Sequence, residues 1–184
     1  LYRVTGNRLP ILAPGASAEL PGIAIGRHAA KKRMDLVLSN LPKEGFKIVS
    51  TSDVLAIAGN DHEGEPLVLD KLEKQFSVWS FTTRTTANHA LGLCLFGDAG
   101  SLYGVYHLLE RFAGVRWYMP GPDGTVIPEK KKLQIPEISH LESPFVNYRY
   151  VQGNMLNTDI MQWVRRIRGG PNGSGTELNS AQPD

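Results

Sequence analysis

Apolar positions in the first third of the chain fall in short runs cut by glycine and polar turns, a strand rhythm rather than a helical one. Leu1 and Val4 sit three apart before Thr5, Gly6 and Asn7, which predicts the last turn of a helix stopped by a left-handed glycine. Residues 9–12 are expected to be a strand, 13–21 a loop, and 22–26 (GIAIG) a short buried strand. Within 27–41 the alternation of Met34, Leu36 and Leu38 favours another strand. In 44–58 (EGFKIVSTSDVLAIA) two apolar runs flank Thr51, Ser52 and Asp53, a hairpin that puts Phe46 with Ile48 on one face and Leu55 with Ile57 on another. The acidic stretch 59–66 (GNDHEGEP) reads as a solvated loop, since its carboxylates lack the alternating register and closing glutamate of a calcium loop.

The rhythm changes after a possible strand at 76–83 and an apolar central strand at 90–96. Leu102, Val105, Tyr106, Leu109 and Phe112 recur at steps of three and four, predicting a helix with one continuous buried stripe. Ser101 or Asp98 is positioned to cap it, and Gly114 before Val115 to stop it. Gly104 costs a helix interior about 1 kcal/mol relative to alanine, so close packing over it is expected. Val115 and Trp117 then alternate with Arg116 and Tyr118 in a strand, 120–124 is a turn, and Leu133 with Ile135 a further strand before Pro136. Phe145, Tyr148 and Tyr150 mark a strand within 143–150. A helix at 158–168 has Thr158 as cap and Ile160, Met161, Val164 and Ile167 as its apolar side. Residues 169–184 (GGPNGSGTELNSAQPD) cannot bury a core and are expected to be mobile.

A chain of 184 residues, 41% hydrophobic and 21% charged, has the composition of an ordinary soluble globular protein of one or two domains. Its net charge of +2 is too even for a nucleic-acid surface, and the basic run 130–132 is too short to make one. Cys94 is the single cysteine, which excludes an internal disulfide and a cysteine-based zinc site and reads as a buried, inert thiol. No stretch approaches the roughly 18 apolar residues of a membrane span. The chain opens on Leu1 with what looks like the end of a helix begun upstream, and is therefore read as a fragment in which no signal is present.

Few residues carry chemistry by their spacing. Gly97, Gly100 and Gly104, after an apolar run and at a helix start, could hold a phosphate on free amides. No Lys-Ser or Lys-Thr follows, and no acidic strand end is placed to hold a ribose. Ser101 lacks the Gly-x-Ser-x-Gly frame of a serine hydrolase. The histidines at 28, 62, 89, 107 and 140 offer no helical metal pair, so no metal and no cofactor are expected. Glycoside hydrolysis needs two carboxyl groups about 5 to 9 Å apart across a cleft, and no local pattern supplies them. Tyr103, His107 and Arg111 recur at i, i+4 and i+8 beside Glu110, opposite the predicted apolar stripe. That face is either solvated or a docking surface for another domain.

The segment GSLYGVYHLLERFAGVRWYMPGPDGTVIPEKKKLQIPE (100–137), with TGNRLPI, GIAIG and EGFKIVSTSDVLAIAGND upstream of it, resembles the N-terminal accessory domain that precedes the barrel in bacterial alpha-glucuronidases and beta-hexosaminidases. It is most similar to the alpha-glucuronidase-like kind. The departures are an absent first strand and helix start, and a stretch at 65–95 longer than the usual step from hairpin to helix. The resemblance implies an α+β fold, a mostly antiparallel sheet with helices packed on one face like domain 2 of the hexosaminidases. It further implies an accessory domain at 1–137 and, at 138–168, a linker with the first strand and helix of a truncated catalytic-type barrel, then the tail at 169–184. The implied function is noncatalytic support for a sugar-cleaving barrel in the periplasm or outside the cell. The partners are that barrel and the parent's carbohydrate, with neither nucleic acid nor membrane. Arg149 is similar in position to an arginine that contacts sugar hydroxyls in hexosaminidases, with an ion pair as the alternative, and no catalytic residue is assigned. The rival readings are a carbohydrate-binding module stacking sugars on Trp79, Trp117 or Tyr118, and the nucleotide binder.

Overall fold

The computed structural model describes residues 1–12, 21–34, 36, 38–61, 99–146, 149 and 158–169. In chain order the elements are α1 (Tyr2–Thr5), β1 (Gly22–Ile25), α2 (Arg27–Met34), β2 (Phe46–Ser50), β3 (Val54–Gly59), α3 (Gly100–Leu108) continued by a π-helical turn (Leu109–Ala113), β4 (Arg116–Trp117), β5 (Thr125–Val126), β6 (Ile138–Glu142) and α4 (Thr158–Arg166). The class is α+β, with a mixed four-stranded sheet of order β1-β3-β2-β6 and a small β4-β5 ribbon. The pairs β2-β3 and β2-β6 are antiparallel, and β1 runs parallel to β3.

The predicted hairpin is the centre of the sheet. Ile48 lies opposite Ile57, and the Thr51 hydroxyl accepts the amides of Asp53 (3.3 Å) and Val54 (3.1 Å) to close the turn. Strand alternation sends Phe46, Ile48, Leu55 and Ile57 to one face, where Tyr103 and Leu108 of α3 complete a core. Val54, Ala56 and Ala58 face the other way and meet Ala24 and Ala30. Helices therefore cover both faces, α3 on one and α2 on the other, instead of the single face expected.

Several local expectations are corrected. Residues 27–34 are a helix, because fully buried Ala30 packs against the small side chains of β3, and Met34, Leu36 and Leu38 join the same cluster without forming a ladder. Residues 9–12 are not a strand, and Ile11 is almost wholly exposed. Leu133 and Ile135 bury side chains in two clusters without strand pairing. The strand lies just beyond Pro136, at β6, so residues 138–142, expected as linker, are an edge of the main sheet. The expected strands at 76–83 and 90–96 fall outside the described residues.

Helix α3 approaches the sheet through glycine. A methyl at Gly104 would stand 2.7 Å from Ile57 Cγ2, and one at Gly100 would stand 2.3 Å from the Gly45 carbonyl oxygen. This contact turns the helix away from its predicted stripe. Its fully buried side is Gly100, Ser101, Tyr103, Gly104 and Leu108, while Val105, Tyr106 and Phe112 pack as a flank. Gly114 ends the π turn at φ 78°, as expected, and the Lys130 ammonium donates to the Phe112 carbonyl at 2.8 Å. A third cluster, Val4, Ala113, Val115 and Trp117, ties α1 to this end.

Candidate functional site

The first turn of α3 is closed by a carboxylate from the end of β3. Asp61 Oδ1 accepts the Ser101 amide at 2.8 Å and Oδ2 accepts the Ser101 hydroxyl at 2.5 Å, while Ser101 Oγ accepts the Gly59 amide at 2.9 Å. An aspartate at a helix N-terminus satisfies an otherwise free donor and the helix dipole together. It takes up the Ser101 amide that a bound phosphate would need, and Gly100 and Gly104 serve close packing, while Gly97 lies outside the described residues. Asp61, expected as a solvated loop residue, is this cap.

On the next turn the helix meets the C-terminal part of the chain. Tyr103 is fully buried, and its hydroxyl reaches Glu44 Oε1 (3.2 Å), the Gly169 carbonyl (3.4 Å) and the Arg165 guanidinium (3.3 Å). Glu44, 3% exposed, is ion-paired to Arg149, which also donates from Nε to the Arg168 carbonyl and from Nη1 to the Val146 carbonyl. Arg168 pairs with Glu110 at 2.9 Å. Burial pushes the Tyr103 phenol above its ordinary pKa and outweighs the opposing pull of Arg165, so the hydroxyl stays protonated and can donate to Glu44.

Two side chains of this seam sit on strained backbone. Glu44 has φ 54° and Arg168 φ 61°, a region that L-residues other than asparagine and aspartate seldom enter. Arg168 is the left-handed residue of a Schellman stop. The Gly169 amide donates to the Val164 carbonyl at 2.7 Å and the Arg168 amide to the Arg165 carbonyl at 3.0 Å. Glycine would suit that position better, but only a long cation there can reach Glu110.

A cavity of about 190 Å³ opens beside the seam, lined among others by Glu44, Tyr103, Glu142, Arg149 and Arg168. On its β6 side His107 Nδ1 and His140 Nε2 both approach Glu142 Oε2, at 3.0 and 3.2 Å, and the two imidazoles stack at 4.6 Å. Burial lowers the His107 pKa, with Glu142 opposing and His140 reinforcing the shift.

No protein-family model, curated protein or solved structure matches the chain.

Of the residues singled out from sequence, Tyr103, His107 and Arg149 come together around this cavity or its rim, and Arg111 is exposed and outside the lining. Arg149 takes the ion-pair geometry, with all three guanidinium nitrogens engaged. Trp117 is buried edge-on to Tyr106, and its carbonyl accepts the Trp163 indole at 3.0 Å, so it offers no stacking face to a sugar. Tyr118 is exposed, and Trp79 lies outside the described residues. Sequence reasoning missed Glu44, Glu142, Arg165 and Arg168. Glu44 and Arg165 are buried and Glu142 and Arg168 half-buried, and spacing along one chain announces neither their depth nor their partners.

Proposed function

We propose that this chain is a noncatalytic accessory domain of a glycoside hydrolase-like protein, and that α3 with the start of β2 is the dock for the next unit of the parent. The observation that carries this reading is the fully buried Tyr103 hydroxyl, held between Glu44 on the sheet side and Arg165 and Gly169 on the far side. Buried polar groups joined across two parts of a chain fix their relative orientation, since any slippage strands a charge without its partner. Trp163 on the Trp117 carbonyl adds a second pin, to strand β4. The resemblance that supports this reading rests on the order of the sequence segments, the hairpin at 44–58 followed by the helix and strands of 100–137. The parent's carbohydrate substrate and its place outside the cytoplasm belong to this same proposal.

A supporting rather than a cleaving role also fits the cavity. Its volume of about 190 Å³ is below the ~300 Å³ at which small-molecule sites begin, and Glu44 is tied to Arg149 and Tyr103. Purified chain incubated with aryl glycosides should release no phenol above buffer, and clear turnover overturns the proposal. Titration with xylan or chitin oligomers separates the scaffold from a carbohydrate-binding module. The scaffold gives no saturable signal, and millimolar or tighter binding favours the module.

A further inference from the structure

From the convergence of His107, His140 and Glu142 beside the cavity, we propose a binding site for a divalent transition-metal ion of the zinc type, independent of the docking role. Each side chain presents one donor atom, and the three lie within 4.8 Å of one another. Zinc bonds of about 2.0–2.2 Å at tetrahedral angles set neighbouring donors about 3.3–3.6 Å apart. The two nitrogen-to-oxygen distances, 3.0 and 3.2 Å, are already close to that edge. Two imidazoles and a carboxylate suit zinc, nickel or cobalt better than calcium or magnesium, which prefer oxygen alone.

The frame is rigid in the way such a site requires. His140 and Glu142 stand two apart on β6, so both project from one face of a strand hydrogen-bonded to β2, where Ile48 and Phe46 are their partners. His107 comes from α3, and its ring packs against Phe46 at 5.5 Å and stacks on His140. The three side chains are 16%, 39% and 35% exposed, so an ion can reach them from solution. The nearby cations have carboxylates of their own, Arg168 in Glu110 and Arg149 in Glu44. Three protein ligands leave a coordination position for water or a partner's side chain. Histidine spacing could not reveal the site, because its two histidines lie 33 positions apart on a helix and an edge strand.

Isothermal titration of Zn(II) into the metal-stripped full chain should show one ion per chain with micromolar or tighter affinity. His140→Ala and Glu142→Gln, both partly exposed and outside the core clusters, should each weaken it at least about tenfold. Co(II) should give the intense visible bands of four- or five-coordinate cobalt, and both substitutions should abolish them while the far-ultraviolet circular dichroism stays unchanged. Absence of binding at millimolar ion overturns the proposal, as does affinity unaltered in both variants, which would place the ion elsewhere on the chain.

Discussion

Helix α3 makes two contacts of opposite character within two turns. At its start, Gly59, Gly100 and Gly104 let backbone meet backbone and sheet with no spare volume. At Tyr103 a polar seam of Glu44, Arg149 and Arg165 joins the sheet to the chain's later part. Packing at the first contact is a matter of shape, so an added atom has nowhere to go. Specificity at the second is a matter of paired donors and acceptors, so a lost partner leaves a cost behind. The first contact builds the domain, and the second positions the C-terminal helix α4 against it.

The largest effect should come from breaking the first contact. In Gly100→Ala the new methyl would sit 2.3 Å from the Gly45 oxygen and 2.6 Å from the Asn60 nitrogen, both backbone atoms. We expect a loss of about 3 kcal/mol or more in urea unfolding, with the whole sheet melting together. Glu44→Gln breaks the second contact instead. It should cost about 2 kcal/mol, below the full value for a buried pair because Arg149 keeps some access to water.

A subtler comparison uses the strained end of α4. Arg168→Ala loses the Glu110 pair and keeps the left-handed strain, whereas Arg168→Gly loses the pair and relieves the strain. The glycine variant should be about 1 kcal/mol more stable than the alanine variant in thermal or urea melts. Equal stabilities would mean that the turn does not hold φ 61°.

The smallest effect is alkaline. The Tyr103 phenol is raised in the folded state, so its contribution is complete below the unfolded pKa of about 10 and is lost as pH rises from there through the folded value. The fall in stability between about pH 9 and 11 should be shallower in Tyr103→Phe than in the wild type.

The same contrast decides which parts were legible in the sequence. The hairpin, Gly114 as a helix stop and the close packing at Gly104 were readable because local spacing and backbone freedom write them. Within 27–41 the alternation of Met34, Leu36 and Leu38 favours a strand, yet Arg27–Met34 is helical, because the alternation reports burial in one cluster and not strand pairing. The buried face of α3 departs from its apolar stripe because Gly100 and Gly104 carry no hydrophobic weight, yet they decide how near the sheet can come. Glu44, Asp61 and Glu142 look like solvent-facing charges, and only the fold brings Tyr103, Ser101 and the two histidines to them.

Amide hydrogen exchange in Glu44→Gln and Tyr103→Phe tests the docking account most directly. It predicts faster exchange across residues 158–169 in both variants, with the protection of β2 and β3 close to that of the wild type. Unchanged protection in 158–169, or an equal loss spread through the sheet, would contradict the seam as the element that holds the later segment in place.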